Sequence, residues 1–440
     1  MISSPYIIMD LKQYLLDKKA YLKPILDEVE PREINLEPNR NIITAIIGPR
    51  RAGKTYLFYS FIKERKLKDE EYLIINFEDA GISDLSEEEV LKCTLYHQEL
   101  YGAQPKYLFF DEVQAFDGWE RVVYTLYERK LYSIVLTGSS SKLLSREIAT
   151  QLRGRSMPVL VLPFSFKELI GIKGVQYTEG KVDSMTASAI KNLLREYLQN
   201  GGFPDVVLHN VQPADFFREY VDVLLFKDVV EREKIRNIEA AKFMIKAVAA
   251  SFSKEFSINK NYLLLKSNGT GIGKKTLYSY LSYFEDAFFS FVVQKFDFSI
   301  KKSALSSKKV YLCDTGISSY FSQAKDIGRL MENAVFVELM RKNSPHRSFN
   351  IYYWKDSNGS EVDFVIKDGS GVRELLQVTY ASSKEEIEER ELSALRKAKK
   401  ALRCSKAKII TWDFEGEINK YGIRVECTPL WKWLLSSHEI

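Results

Sequence analysis

One short run constrains the fold of this chain more than any other feature. It matches the pattern G-x-x-x-x-G-K-[ST] in full and reads Gly48, Pro49, Arg50, Arg51, Ala52, Gly53, Lys54 and Thr55. An apolar, β-branched run precedes it, and a helical pattern follows. The N–H groups of such a loop, with the N-terminus of the next helix, point at phosphate oxygens. We therefore predict a phosphate-binding loop in which Lys54 reaches the β- and γ-phosphates and Thr55 offers its hydroxyl to Mg²⁺.

A pair of acids follows another buried-strand pattern. Residues 107–110 read YLFF, and Asp111 and Glu112 come directly after them. Adjacent acids also cap helices, but here one further strand pattern, residues 72–77, separates them from the phosphate loop. That order favours a Walker B arrangement, in which Asp111 holds Mg²⁺ through water. Glu112 would then orient and polarise the attacking water.

Polar side chains follow the next strand pattern, residues 133–136. Thr137 and Ser139 lie where the C-terminal end of that strand is expected, beside the acid pair. One interpretation is that they sense the γ-phosphate and its water. The other is that they cap the helix that starts near residue 141.

Two arginines precede the last strand pattern of this region, residues 158–162. They are Arg153 and Arg155, in a segment that also contains Arg146. A fixed guanidinium there suits an arginine finger that reaches the γ-phosphate of a neighbouring subunit. A basic surface helix is the alternative.

Several segments together resemble a known family. They read GPRRAGKT, YLFFDEVQAFDGWE, SIVLTGSSSKLLSREIATQLRGRSMPVLVLPFSFKEL and GGFPDVV. They are similar to an AAA-superfamily group of prokaryotic, archaeal-type ATPases, in which a winged-helix segment and a restriction-endonuclease-like domain follow the ATPase module. The resemblance implies an α/β P-loop fold with a parallel sheet in the order 5-1-4-3-2. It also implies ATP and Mg²⁺ as ligands, and sites completed between subunits of a homo-oligomeric ring, for which a hexamer is one size.

Composition limits the class of protein. The chain has 440 residues, of which 45% are hydrophobic and 28% charged, and a net charge of +5. These values are typical of a globular protein of about two or three domains, and they permit a nucleic-acid surface without requiring one. We expect no membrane association, because no apolar run is long enough to span a bilayer and no signal peptide is evident. Scattered cysteines and histidines favour a cytoplasmic location and argue against a zinc site.

Loop-forming stretches in the sequence, together with the family resemblance, divide the chain into five segments. Glycine-bearing polar stretches and changes of pattern mark the borders. The segments are an N-terminal helical arm (1–40), a P-loop AAA-type core (41–170), a helical lid (171–239), a winged helix (240–312) and a mixed α/β restriction-endonuclease-like domain (313–440).

The winged-helix segment contains the candidate DNA contacts. Two helical patterns joined by a glycine-containing turn precede a strand pattern, which is the order of a helix-turn-helix with a wing. The second helix begins with Lys274, Lys275 and Thr276, and Tyr278 follows one turn on. Lysines and hydroxyls at a helix N-terminus suit phosphate contacts with double-stranded DNA. A plain packing module is the alternative.

The C-terminal segment carries an incomplete nuclease pattern. Asp363 lies in an alternating strand where such nucleases place a first metal-binding acid. The next strand should supply an acid and a lysine, but those positions hold Gln377 and Thr379. Glutamine is a poor ligand for a hard cation, and threonine carries no charge. A helix acid, Glu338 or Glu332, would not complete the set, so we expect a degenerate site (Glu338, Asp363, Gln377) without cleavage.

Two functions remain once nucleotide hydrolysis is granted. In the first, the protein is a DNA-associated ATPase that couples hydrolysis to nucleic-acid binding or remodelling. In the second, it is an ATP-dependent switch or scaffold whose C-terminal domains bind a protein partner. We favour the first, because the winged-helix and nuclease-like segments both suit a grip on DNA.

Overall fold

The computed structural model describes residues 10–82, 84–138, 154–321, 326–343, 349–369 and 371–436. It divides the chain into two compact units, Met1–Val161 and Leu162–Ile440. The first unit contains the phosphate-loop motif, and the second contains the lid, winged-helix and C-terminal segments of the prediction. Over the described residues, no helix combines the length and apolar character that crossing a bilayer requires.

The first unit is built on a five-stranded sheet in the order β2-β3-β4-β1-β5. Every adjacent pair is parallel, and β1 to β4 are buried almost throughout, which explains why they read as continuous apolar runs. This arrangement confirms the predicted order 5-1-4-3-2. The strands are β1 (Ile43–Ile47), β2 (Tyr72–Asn76), β3 (Tyr107–Asp111), β4 (Ser133–Gly138) and β5 (Ser156–Leu160).

Helices cover this sheet and hold the N-terminal arm to it. Phe58 of the second helix packs on Phe109 with ring centroids 4.9 Å apart. Lys19, in the arm, donates a hydrogen bond to the carbonyl of Asp69. The helices of this unit are α1 (Leu11–Glu28), α2 (Lys54–Glu64), α3 (Glu87–Leu91), α4 (Cys93–Tyr101) and α5 (Trp119–Glu128).

The second unit begins with helices. A π-helical segment, Leu224–Glu231, continues the last of them. Tyr197 donates a hydrogen bond to the carbonyl of Phe164, and Gly202 donates its N–H to buried Asp314. The helices are α6 (Phe166–Ile172), α7 (Ser184–Asn200), α8 (Pro204–His209) and α9 (Pro213–Val223).

Next comes a compact alternation of helices and strands. Both β6 and β7 pair antiparallel with β8. Leu277, Leu281 and Phe284 are the buried face of the helix that precedes β7. The elements are α10 (Ile238–Ala250), β6 (Lys254–Phe256), α11 (Ile258–Ser267), α12 (Lys274–Asp286), β7 (Ser290–Lys295), α13 (Ile300–Leu305) and β8 (Lys308–Leu312).

The C-terminal strands extend the same sheet. The nine-stranded order is β13-β14-β12-β11-β10-β9-β7-β8-β6, and a short parallel pairing of Gln294 with Tyr352 and Lys295 with Tyr353 joins the two parts. The predicted border at residue 312 therefore separates segments of sequence that share one sheet. The elements are α14 (Ile317–Phe321), α15 (Ile327–Lys342), β9 (Asn350–Lys355), β10 (Glu361–Lys367), β11 (Val372–Val378), α16 (Glu389–Leu402), β12 (Ala407–Thr411), β13 (Gly416–Lys420), β14 (Ile423–Pro429) and α17 (Leu430–Leu435).

Candidate nucleotide site and neighbouring clusters

The phosphate-loop motif connects β1 to α2, as predicted. Gly48 has a φ of 149°, and a Cβ there would lie 1.9 Å from the carbonyl oxygen of Val161. Gly53, directly before α2, has a φ of 90°. Both positions require glycine, because a side chain would strain the backbone or collide with it. The loop thus curls between the sheet and the helix N-terminus, where backbone N–H groups can face an anion.

Lys54 lies inside this loop. It is only 4% exposed, and its Nζ donates hydrogen bonds to the carbonyl oxygens of Gly48 (3.3 Å) and Pro49 (3.1 Å). The same Nζ is 3.7 Å from Oε1 of Glu112. The ammonium group of Lys54 and the acid pair are therefore neighbours. The order of the motifs in the sequence predicts this arrangement.

Three side chains meet at the C-terminal ends of β3 and β4. The hydroxyl of Thr55 donates to Asp111, with Oγ1 2.9 Å from Oδ2 and 3.0 Å from Oδ1. Thr137 also donates to Oδ1 of Asp111. Its Oγ1 accepts a hydrogen bond of 2.8 Å from the backbone N–H of Glu112. Thr137 thus ties together the two acids.

The environment of Asp111 raises the pKa of its carboxyl, which stays mostly ionised at neutral pH. Asp111 is buried, and burial, reinforced by the neighbouring charge of Glu112, raises the pKa of its carboxyl to about 6. Lys54 and the hydroxyls of Thr55 and Thr137 act in the opposite direction but do not outweigh burial. A buried carboxylate that lacks full charge compensation is suited to receive a cation.

Glu112 adopts an unusual backbone conformation. Its φ is 49°, which is uncommon for a residue with a side chain, and Gln114 donates to its Oε2 over 2.5 Å. Residues held in such conformations cluster at functional sites. The conformation turns the chain immediately after β3, and Glu112 is only partly exposed beside Lys54.

These residues fit an ATP–Mg²⁺ complex. A threonine hydroxyl and a carboxylate are hard oxygen ligands, which Mg²⁺ prefers in combination with water and phosphate oxygens. The buried lysine and the curled loop supply positive charge and N–H donors on the opposite side. Arg32, which no sequence motif singles out, donates to the carbonyl of Ala52 over 3.0 Å and so braces the loop from the N-terminal arm.

The structure describes the surroundings of some of the remaining arginine and sensor candidates. Arg50 is 3.6 Å from Oε1 of Glu78. Arg155 contacts Glu128 and donates to the hydroxyl of Tyr124 over 3.1 Å, so its guanidinium is engaged within its own chain. Arg153 and Ser139 lie outside the described residues.

The predicted DNA-contacting residues lie on the first turns of α12. Lys274, Lys275 and Tyr278 are exposed, and Thr276 is partly exposed. Lys274 also lies over the ring of Tyr262, 5.2 Å from its centroid. These side chains are accessible, whereas the opposite face of the helix is buried in the unit.

The connection between β7 and β8 carries an exposed apolar group that the sequence did not reveal. Phe298, Ile300 and Leu305 are 75%, 87% and 78% exposed. Lys301 and Lys302 lie among them and are also exposed. Large apolar side chains left in water beside lysines mark a candidate contact surface.

The structure changes the membership of the predicted nuclease-like site. Asp363 lies with Glu332 of α15, because both contact Lys309 of β8. Glu338, the predicted helix acid, instead pairs with Arg341 at 3.5 Å. Helical periodicity explains the difference, since Glu332 and Glu338 are six positions apart and so lie on different faces of α15. Gln377 is buried on β11, and its Oε1 has no hydrogen-bond partner among the described residues.

Family models match three segments of the chain. The model of a family described as AAA domain matches residues 40–170, which confirms the prediction of an AAA-superfamily ATPase domain. Two families described as domains of unknown function, DUF8612 and DUF4143, match residues 191–327 and 327–432. The restriction-endonuclease-like character of the C-terminal segment stays a prediction.

Likeness to solved structures is weak. The Aeropyrum pernix ORC1 protein, solved in complex with DNA, is 12% identical; the match covers 73% of this chain and 94% of that chain, with a TM-score of 0.29. Cdc6p from Pyrobaculum aerophilum is also 12% identical; the match covers 76% and 97%, with a TM-score of 0.25. Scores this low carry no argument about function.

Two curated relatives match most of the chain. An uncharacterized protein of Haemophilus influenzae is 27% identical over 348 residues, which cover 78% of this chain and 82% of that protein. The uncharacterized protein MJ1544 of Methanocaldococcus jannaschii is 36% identical over 451 residues, which cover 98% of this chain and 99% of that protein. With identity at this level along nearly the whole of both chains, the protein belongs to the same family as MJ1544.

Proposed function

We propose that this protein binds ATP with Mg²⁺ and hydrolyses it, and that it couples hydrolysis to the binding or remodelling of double-stranded DNA. The convergence of Lys54, Thr55, Asp111, Glu112 and Thr137 at one end of the parallel sheet supports the first part most strongly. Phosphoryl transfer requires positive charge around the phosphates and an oriented water more than it requires covalent chemistry. The five side chains supply those requirements.

Each residue has a defined role in the proposal. Lys54 offsets charge on the β- and γ-phosphates, and the loop N–H groups orient them. Thr55, and Asp111 through water, would hold Mg²⁺, which would supply charge compensation to the phosphate oxygens. Glu112 accepts a proton from the attacking water, and Thr137 fixes the backbone from which Glu112 projects.

Hydrolysis is tested with two variants and a control. Lys54→Ala should lose Mg²⁺-dependent ATP binding in calorimetry, because it removes the ammonium from the loop. Glu112→Gln should keep ATP bound and stop turnover. Lys63→Ala, nine residues along the same helix, should leave both unchanged. Normal turnover in Lys54→Ala would refute the assignment, and loss of ATP binding in Glu112→Gln would make Glu112 a structural residue.

The proposed finger needs a second subunit. Arg153 and Arg155 are the candidates, and Arg155 would have to leave Glu128 to act. We propose that an excess of Lys54→Ala subunits restores turnover to Arg153→Ala subunits, because each inactive chain supplies what the other lacks. Absence of any recovery would confine each arginine to its own chain.

The DNA part of the proposal is supported by element order and by exposed charge. The order α10, β6, α11, α12, β7, α13, β8 resembles that of a winged helix with an added helix, α13, between its last two strands, and α12 has the position of the recognition helix. Lys274 and Lys275 at its start, together with the lysines and apolar side chains of the β7–β8 connection, could meet a phosphate backbone and a groove.

Fluorescence anisotropy with a duplex oligonucleotide tests this surface. Lys274→Ala combined with Lys275→Ala should weaken binding and reduce the slope of log affinity against log salt by about 2. Lys227→Ala combined with Lys242→Ala removes the same charge from exposed lysines that pair with glutamates, and it should leave the slope unchanged. If both double variants reduced the salt slope equally, Lys274 and Lys275 would contribute only general positive charge and no particular DNA contact.

The alternative function has its own supporting observation and outcome. Exposed Phe298, Ile300 and Leu305 could hold a protein partner instead of DNA. In that case duplex DNA would leave the ATPase rate untouched, and different partners would be recovered with ATP and with ADP. DNA-stimulated turnover would favour the first function.

A further inference from the structure

A buried lysine lies at the centre of the acidic cluster in the second unit. Lys309, on β8, is 2% exposed. Its Nζ is 2.9 Å from Glu332, 2.7 Å from Glu361 and 3.1 Å from Asp363. These acids come from α15 and β10, so one ammonium group joins a helix and two strands.

Other donors also contact the carboxylates of the cluster. Tyr311 donates its hydroxyl to Glu332 over 2.7 Å, and the backbone N–H of Val378 donates to Oδ2 of Asp363 over 3.0 Å. Lys355 is 3.1 Å from the second oxygen of Glu361. The carboxylates therefore have the hydrogen bonds that buried charges require.

The charges of the cluster explain how it can stay buried. Burial disfavours the ammonium form, but Tyr311 and the three carboxylates outweigh that effect and raise the pKa of Lys309 well above its ordinary value. The ammonium is thus permanently charged at neutral pH. Burial and the neighbouring Asp363 raise the pKa of Glu332. Glu332 can therefore retain a proton, which reduces the negative charge of the three acids that share one buried cation.

The cluster does not fit the divalent metal that the nuclease-like resemblance implies. Carboxylates that would surround a metal converge on Nζ instead, and the next strand offers Gln377 and Thr379 where a second acid and a lysine are needed. Within the described part of the chain, no three His, Cys, Asp or Glu side chains are arranged to hold a metal ion. The Lys309 ammonium already occupies the position to which the acids point.

We propose that the Lys309 ammonium is the resident cation of this carboxylate site and takes the place of a divalent metal. An ammonium group balances charge, but it cannot act as a Lewis acid or lower the pKa of a bound water. The site therefore holds β8, β10 and α15 together and does not cleave phosphodiesters. The inference is independent of ATP hydrolysis, because every residue in it belongs to the second unit.

Removal of the ammonium should open a metal site. Lys309→Met gives an unbranched apolar side chain that is one atom shorter, and it leaves three carboxylates without their cation. In the full-length protein without nucleotide, calorimetry should then detect an additional Mn²⁺ site with a Kd on the order of 10⁻⁴ M that the wild type lacks, and Mn²⁺ should raise the melting temperature of the variant more than that of the wild type. Lys355→Met, which removes a more exposed partner of Glu361, is the matched control and should gain no affinity.

A second variant guards against a failure to fold. Lys309→Met with Glu332→Gln lowers the uncompensated charge and leaves Glu361 and Asp363 as ligands, so it should bind Mn²⁺ more weakly than Lys309→Met. Three results would overturn the proposal: Mn²⁺ binding by the wild type at this site, metal-dependent plasmid cleavage by the wild type, or folded variants without any gain in Mn²⁺ affinity.

Discussion

Thr137 gives the sharpest test of how the acid pair is held. The substitution Thr137→Val keeps the shape of the side chain and removes its hydroxyl. Two hydrogen bonds disappear with it, one donated to Asp111 and one accepted from the N–H of Glu112. The carboxyl of Asp111 is left in a region where water has little access, since Asp111 and the substituted residue are each 1% exposed.

The cost follows from the kinds of hydrogen bond that are lost. A bond to a charged group contributes about 1.5–3 kcal/mol, and a bond from a backbone amide about 0.5–1.5 kcal/mol. Together they predict a loss of about 2–4.5 kcal/mol in the local stability of β3 and β4. Turnover should fall by about 10- to 100-fold, because Glu112 loses the contact that fixes its backbone, whereas ATP affinity should change little since the phosphate loop is intact.

Thr44 on the adjacent strand β1 provides a matched control. It is also 1% exposed, but its Oγ1 has no hydrogen-bond partner among the described residues. Thr44→Val therefore removes an unsatisfied hydroxyl and should be neutral or stabilise the sheet by about 1 kcal/mol. Hydrogen exchange measured by mass spectrometry on peptides from β1, β3 and β4 reads the local opening free energy for both variants.

The reasoning would be refuted if the two threonine variants changed exchange by the same amount. A fall in turnover with no change in the exchange of β3 and β4 would also count against it, because Thr137 would then act on substrate and not on the acid pair. Steady-state ATPase measurements and calorimetric ATP titrations on the same samples separate these outcomes.

Two further predictions concern the second unit. Burial raises the pKa of Glu285 to about 7, so its ionisation lowers the free energy of unfolding as pH rises from about 4.5 through 7. Glu285→Gln keeps an acceptor for the N–H of Val292 and should remove up to about 3 kcal/mol of that loss at pH 8. Urea unfolding at pH 5 and pH 8 measures the difference. A parallel pH dependence in variant and wild type would contradict it. Gly201 has a φ of 76°, and a Cβ there would lie 1.8 Å from Asp314, whereas Gly174 has a φ of 69° and open space. Gly174→Ala should therefore cost only about 1–2 kcal/mol and Gly201→Ala clearly more, so equal melting temperatures would refute the collision.

The nucleotide site was predictable because its determinants are local or follow from sheet topology. The phosphate loop is a continuous motif, and the C-terminal ends of parallel strands meet at one edge, which brings Asp111 and Thr137 together once the strand order is known. Arg32 was not predictable, because its contact with the loop depends on how the N-terminal arm packs. Its only sequence signal is an arginine in an otherwise acidic stretch.

The Lys309 site was hidden for a different physical reason. A lysine in a strand is expected to face solvent, and its partners lie 23 to 54 positions away along the chain. Two strands separate β8 from β10 in the sheet order, yet the rings of Tyr311 and Phe364 are 5.6 Å apart. The sheet must therefore bend sharply here, and neither hydrophobic periodicity nor strand pattern reports such a bend.

The position of Lys309 bears on how any DNA-binding measurement is interpreted. The strand β8 that carries it also ends the exposed β7–β8 connection, so the buried cluster anchors one side of the proposed DNA surface. Breaking a buried ion pair by removal of one partner costs about 3–5 kcal/mol, which is a large share of the roughly 5–15 kcal/mol that stabilises a typical domain. Substitution of Lys309 would thus weaken DNA binding without any contact with DNA. Lys274 and Lys275 are exposed and leave no buried charge behind, so their removal measures the contact itself.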